Sequence, residues 1–444
     1  MKQKNVLWFV TDQQRSHTLS INGCPDTFTP NLDNLAKTGI NITSAISGTP
    51  LCCPFRGSLL TGLYPHKCVP GHEYQLNPGL PTIASVFGEN GYHTFYLGKW
   101  HLDGAKEPEK RAGTHIVPRH RRGGFTSWMG YENNNTQYDC YIHGHKDDTE
   151  VDLFRLPGYE TDCLTDIMID YLKEKAKGDK PFFAVLSVQP PHDPYVAPPE
   201  FQGRHRPGDI TFRPNVPDIQ SVRETAAVEL AGYHAMVENI DYNVGRIVEA
   251  LKQTGLMDDT HLLYFSDHGD MHGSHGQFRK TTPYQEAVSI PFIISGENRG
   301  GWDAGRAVGN RSDILMNHVD IAPTTLGLCS ISVPDWMEGT DYSAVRYRNS
   351  NPAQYPESAY LQSVIPTNHQ DSINKPWRGV ITSDGYKLVC FERMDWLLFD
   401  LNNDPYEQMN LAHNSKYSPL RERLLKELRY WVDKTGDQFI LPSQ

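Results

Sequence analysis

The chain has 444 residues, 38% hydrophobic and 21% charged, with a formal net charge of −11. That balance excludes a disordered chain and argues against a general nucleic-acid or anionic-membrane binder. It leaves room for an anionic small substrate, because a few basic groups can focus a field inside a cleft. The length fits two or three domains, or one large α/β unit with an appendage.

The first residues, MKQKNVLWFVTDQQR, run directly into a short apolar strand over 5–12, without a secretory apolar region or cleavage site. The expectation is a cytoplasmic protein if the chain is complete, and a periplasmic or secreted one if a leader has been removed. NLDNLAKTG (31–39) predicts a helix stopped by Gly39, and RGSLLTG the start of another. TIASVFGENGYHTFYLGKWH (82–101) predicts helix, turn and strand. Residues 104–160 are polar and lack periodicity, so loops over the rim of a site are expected. TDCLTDIMIDYLKEKAK (161–177) predicts an amphipathic helix, and PFFAVLSVQPPHDPY (181–195) a strand entering a Pro-rich loop.

A long helix over about 222–254 precedes the strand THLLYFSDHGD (260–270). VSIPFIIS (288–295) predicts one more strand, and NHVDIAPTTLGL (317–328) a helix. Beyond about residue 355 the texture changes to short strands, WRGVITSD, GYKLVCFE and DWLLFDL, closed by the helix LRERLLKELRYWVDKTG. The expected fold is α/β: a large mixed, mostly parallel sheet sandwiched by helices, with a smaller C-terminal antiparallel-sheet subdomain. The boundary is placed at 355/356. No stretch of 18 apolar residues predicts a membrane span. The eight cysteines, at 24, 52, 53, 68, 140, 163, 329 and 390, show no CxxC or zinc spacing, so a mostly reduced protein is expected.

In open parallel sheets, ligands bind beyond the carboxyl ends of the strands. Four predicted strands end in reactive residues: Asp12-Gln13, Lys99-Trp100-His101, His192-Asp193-Pro194 and Asp267-His268-Gly269-Asp270. Asp12 and Asp267 offer hard oxygens, Gln13 a carbonyl and His268 an imidazole. That set suits one divalent cation, Ca²⁺, Mg²⁺ or Mn²⁺. Lys99, His101, His192 and Lys280 add positive charge and proton donors around an anionic group. The chemistry indicated is hydrolysis or transfer of a phosphate or sulfate ester.

Cys52-Cys53-Pro54-Phe55-Arg56 then reads as the C-x-P-x-R motif, continued by RGSLLTG, and resembles the type I sulfatases of the alkaline phosphatase superfamily. GKWHL, PPHDPY, SDHGD, Lys280 in GQFRKTTPYQE, VDIAPT and LFDLNNDPYEQMNLA resemble that family's landmarks in the family's order. The resemblance implies that Cys52 is oxidised to formylglycine by a maturation enzyme, its hydrate being the nucleophile, while Cys53 is incidental. It implies a metal, most often calcium, held by Asp12, Gln13, Asp267 and His268. Arg56 would steady the hydrate, Lys99 bind sulfate oxygens, and His101 take the proton whose loss expels sulfate. His192, the expected general acid, and Lys280 would stand on the leaving-group side.

Many sulfatases carry aspartate where this chain has Gln13 and asparagine where it has His268. At both positions the chain resembles the phosphonate monoester hydrolases instead. Arg119, His120, Arg121 and Arg122 with Trp128 and Tyr131 suggest either a sulfated-sugar surface or a basic solvated loop. The expected substrate is a sulfated saccharide. The alternatives are a phosphonate monoester or phosphodiester hydrolase using the same nucleophile, and an inactive sulfosugar-binding protein. The sequence assigns no oligomeric state.

Overall fold

NVLWFVT is buried along its whole length, which is why it reads as an unbroken apolar run and not as an alternating one. In the computed structural model, which describes residues 3–106, 111–296, 310–346, 355–367 and 373–443, it is the central strand β1 (Asn5–Thr11). The other strands of the same sheet are β2 (Ile40–Ile46), β3 (His93–Lys99), β4 (Ser127–Tyr131), β5 (Tyr141–Lys146), β6 (Thr149–Arg155), β7 (Phe182–Ser187), β8 (Thr260–Ser266), β9 (Phe292–Gly296) and β10 (Asn310–Asn317). Among the described residues their order is β10-β2-β9-β8-β1-β7-β3-β4-β5-β6. The block β8-β1-β7-β3-β4 is parallel throughout. Strand β9 runs antiparallel to β8 and β2, and β5 and β6 form an antiparallel edge.

The alternation along β1 divides the core. Val6, Trp8 and Val10 face one cluster with residues of the helices Cys52–Thr61, Ile83–Glu89 and Ile321–Leu328. Leu7 and Phe9 face the other, with the helices Pro30–Thr38, Glu160–Lys175 and Gln220–Gln253. Each large side chain buried this way contributes about 1.5–3 kcal/mol, so a one-residue slip of β1 would be heavily penalised. The polar handle of Trp8 is satisfied too: Nε1 donates to Thr325 Oγ1 at 3.1 Å.

The expectation of loops over 104–160 is corrected: this segment supplies β4, β5 and β6. Two of its glycines serve sheet packing. A Cβ at Gly144 would lie 1.8 Å from the Trp128 carbonyl oxygen, and one at Gly130 2.2 Å from that of Gly98. Strand β6 is mostly exposed, so it carries no apolar pattern. The segment 288–295 also divides, into a helical turn at Gln285–Val288 and β9.

A second sheet, β11 (Ser358–Ser363), β12 (Trp377–Thr382), β13 (Tyr386–Phe391) and β14 (Met394–Asp400), is antiparallel in sequential order. Tyr360, Val380, Leu388 and Leu398 pack under the helix Ser418–Thr435 through Leu424, Leu428 and Trp431. Ala359, Leu361, Ile381 and Val389 pack on Ile46, Val288 and Leu315, which joins the small sheet to the large one. No disulfide forms among the described residues. No described helix is long and apolar enough to cross a membrane.

Candidate active site

Four adjacent parallel strands, β8, β1, β7 and β3, deliver the strand-end residues to one edge of the sheet. Cys52 enters from the same side as the first residue of the helix Cys52–Thr61. Leu51 before it is extended, Pro54 sits in the first turn where its missing N–H costs nothing, and Gly62 closes the helix at φ 70°. Every residue of this helix is buried. A nucleophile at a helix N-terminus also faces the positive end of the backbone dipole.

Cys52 Sγ lies 3.1 Å from His268 Nε2, 3.3 Å from Lys280 Nζ and 3.6 Å from Asp12 Oδ1. Cys53 turns away, its sulfur accepting from the Glu73 N–H at 3.4 Å. The two neighbouring thiols therefore occupy different environments.

Arg56 ties the site together. Nη2 donates to Asp12 Oδ2 at 3.2 Å and Asp267 Oδ2 at 3.3 Å; Nη1 donates to the Lys99 carbonyl at 3.0 Å and Ser187 Oγ at 2.8 Å. Burial works against its charge, but Asp267 and Asp12 outweigh that and raise its pKa. Lys99 Nζ reaches Asp12 Oδ2 at 2.8 Å. Burial opposes ionisation of Asp12 as well, yet Lys99, His192, Lys280 and Arg56 hold it well below the usual carboxylate range. Three cations, Arg56, Lys99 and Lys280, thus surround two buried carboxylates, leaving excess positive charge for an anion.

One donor atom from each of Asp12, Cys52, Asp267 and His268 falls within 4.8 Å of the others. His268 Nδ1 lies 2.9 Å from the Gly269 carbonyl, which can only accept, so Nδ1 carries the proton. Burial keeps the ring neutral by lowering its pKa. Nε2 is then a lone pair aimed at Asp12 Oδ1 and Asp267 Oδ1, each 3.7 Å away. Acceptors converging on acceptors is an arrangement that a cation resolves, so this donor set fits a divalent metal. Gln13 stands alongside: its Oε1 accepts from Lys280 at 2.9 Å, while Nε2 donates to Asp270 Oδ2 at 2.6 Å.

On the opposite side, His192 Nδ1 donates to the Asp193 carbonyl at 2.8 Å and Nε2 accepts from Lys280 Nζ at 2.7 Å. Cys52, Asp12, Asp193 and Asp267 overcome burial and raise the Lys280 pKa. His101, at φ 56°, is held well below the usual histidine range by burial and then by Lys99. It is a neutral base. The loop that carries it is fixed by Glu132, which accepts from the N–H groups of Leu102, Asp103 and Gly104.

The expected sugar surface does not form. Trp128 and Tyr131 lie in the interior, with Tyr131 donating to Glu160 Oε1 at 2.6 Å. Arg122 is buried over the Trp128 ring, 5.2 Å from its centre, and bonds His145, Glu150 and the Val117 carbonyl. Arg119 bonds the β5–β6 turn at Asp147 and Asp148, and Arg121 pairs with Asp103 at 3.3 Å. The arginines precede strand β4 while Trp128 and Tyr131 lie within it, so their closeness in sequence does not make a shared face. Sequence reasoning missed Ser187 and Glu132, which carry no local signal. Asp193 and Asp270 stand in the named strand-end clusters, but sequence reasoning assigned them no role.

The chain is similar to known proteins in both sequence and fold. Residues 4–331 match the Sulfatase family model, and residues 273–434 that of the N-sulphoglucosamine sulphohydrolase C-terminal region. The ulvan-active sulfatase of Formosa agariphila is 32% identical over 442 residues, spanning 98% of this chain and 82% of that protein. An N-acetylglucosamine-6-O-sulfatase of Bacteroides thetaiotaomicron is 24% identical over 518 residues, spanning 99% and 87%. The crystal structure of yidJ from Bacteroides fragilis superposes with a TM-score of 0.86 at 26% identity, covering 98% of this chain and 97% of that one. The chain belongs to the sulfatase family, and it is a sulfuric ester hydrolase.

Proposed function

We propose that this sulfatase removes sulfate from a saccharide, with formylglycine made from Cys52 as its nucleophile. The observation that carries the reading is the convergence of Cys52 with Asp12, Asp267, His268, Arg56 and Lys280 at four neighbouring strand ends. The saccharide is supported by relatives that act on ulvan and on N-acetylglucosamine 6-O-sulfate.

The sulfur of Cys52 marks where an oxygen of the oxidised, hydrated residue would sit. A divalent metal held by Asp12, Asp267 and His268, with Gln13 beside them, would stabilise negative charge there. Arg56 bonds both carboxylates and Lys99 pairs with Asp12, which holds them in place, so no reorganisation is needed as charge develops. The ammonium of Lys280 donates a hydrogen bond to the imidazole of His192 across 2.7 Å, which places a proton between them and the leaving group. That pair delivers it to the alcohol oxygen as the S–O bond breaks. His101, neutral because it is buried beside Lys99, accepts the proton of the remaining hydroxyl, which restores the aldehyde and frees sulfate.

Sulfate release from a panel of defined sulfated saccharides tests the substrate class, with a phosphonate monoester and an aryl sulfate alongside. A saccharide sulfate turned over at a higher kcat/KM than either comparator is expected. Preference for the phosphonate monoester would overturn the reading.

A further inference from the structure

We propose a second metal site, for a borderline-soft ion of the Zn²⁺ class, built from Cys53, His72 and His101. One donor atom of each falls within 4.8 Å of the other two. Cys53 Sγ is 4.0 Å from His72 Nδ1, and the rings of His72 and His101 stand perpendicular with centres 5.4 Å apart. A tetrahedral zinc ion has ligands at about 2.0–2.3 Å, which places them roughly 3.3–3.6 Å apart. Small side-chain rotations close the difference.

The surroundings are those of a ligand set. The Glu73 carboxylate stands 3.8 Å behind His72 Nε2, the arrangement that orients a ligating imidazole and raises its basicity. The Glu73 N–H already points at the Cys53 sulfur, where it would stabilise a thiolate. His101 Nδ1 is buried without a hydrogen-bond partner. Cys53 and His101 are buried, while His72 is partly exposed, which gives an ion a route in and leaves a fourth position for water. Binding would release the thiol proton of Cys53 to solvent, with no change of oxidation state.

The two sites differ in kind. The group around Asp12 is dominated by hard oxygens, whereas this one offers one sulfur and two imidazoles, so the chain sorts metals by chemistry. The sites also share a consequence. An ion that takes a His101 nitrogen removes the base assigned to sulfate release, so Zn²⁺ would act as a reversible inhibitor. This last step rests on the proposed role of His101; the site itself does not.

Co²⁺ serves as a spectroscopic probe in Cys52→Ala protein, where the catalytic thiol cannot contribute. A near-ultraviolet thiolate-to-cobalt band is expected, and it should vanish on adding Cys53→Ser or His72→Gln. No band, or one that survives Cys53→Ser, overturns the site. In matured enzyme, Zn²⁺ should inhibit, and exchange into zinc-free buffer containing the catalytic metal should restore activity. Cys53→Ser should keep basal turnover and raise the half-inhibitory Zn²⁺ about tenfold or more. Inhibition identical in both proteins counts against the site. A band without inhibition upholds the site and instead overturns the role given to His101.

Discussion

Replacing His192 by alanine separates a proton donor from a binding residue. His192 Nδ1 is committed to the Asp193 carbonyl, so only Nε2 faces Lys280, at 2.7 Å. Without the ring, Lys280 keeps Gln13 Oε1 at 2.9 Å and the position-52 atom at 3.3 Å, so the cation stays and KM changes little. General acid catalysis is worth about 10²–10⁴-fold, or about 2.7–5.5 kcal/mol. Lys280 remains as a residual donor, which puts the expected loss on a saccharide sulfate at the lower end, about 10²–10³-fold. A nitrophenolate departs nearly unaided, so nitrophenyl sulfate should lose less than about tenfold. Steady-state sulfate release on both substrates gives the ratio. Equal losses would refute the acid role and leave His192 as a sulfate-binding group. Leaving-group dependence in Lys280→Ala alone would assign the proton to the lysine.

Mass spectrometry of the tryptic peptide TGINITSAISGTPLCCPFR should show an aldehyde at Cys52 and an intact thiol at Cys53; modification at Cys53 would reverse the assignment. Asp267→Asn removes a carboxylate from the convergent donor set, so elemental analysis should find sharply reduced metal, and full occupancy would count against that set. Burial pushes His318 down to about 3, with its Nδ1 accepting the Gly48 N–H at 2.9 Å. The unfolded chain therefore takes up this proton first, and stability that is complete above about pH 6.5 is lost as pH falls towards 3. The loss is at most about 4–5 kcal/mol. Urea unfolding across that window should show a shallower decline for His318→Asn, and superimposable pH profiles would remove His318 from the account.

What the sequence revealed follows from burial. Strands β1, β7 and β8 are covered on both faces, so they stand out as apolar runs with a sharp polar end, and those ends are the site. Strand β2, INITSAI, is half polar, and β6 is mostly exposed, so neither announces itself. Arg122 and Trp128 misled for the opposite reason. A cation lying on an aromatic ring looks the same in sequence whether the pair is buried or lines a ligand surface. Glu132 and Ser187 owe their places to backbone N–H groups and a guanidinium brought from elsewhere in the chain, which no local pattern records.

The strand order also sets a timetable. Strand β1 pairs with β7 and β8, so the centre of the sheet cannot assemble until residue 266 has been made. At about 5–20 residues per second, the ribosome needs roughly 10–40 s to travel from Cys52 to the end of β8. In the finished fold Cys52 is only 1% exposed. During that interval it lies on a chain whose central strand β1 still lacks its partner β8. The enzyme that the proposed oxidation of this thiol requires would have that window, until β8 docks.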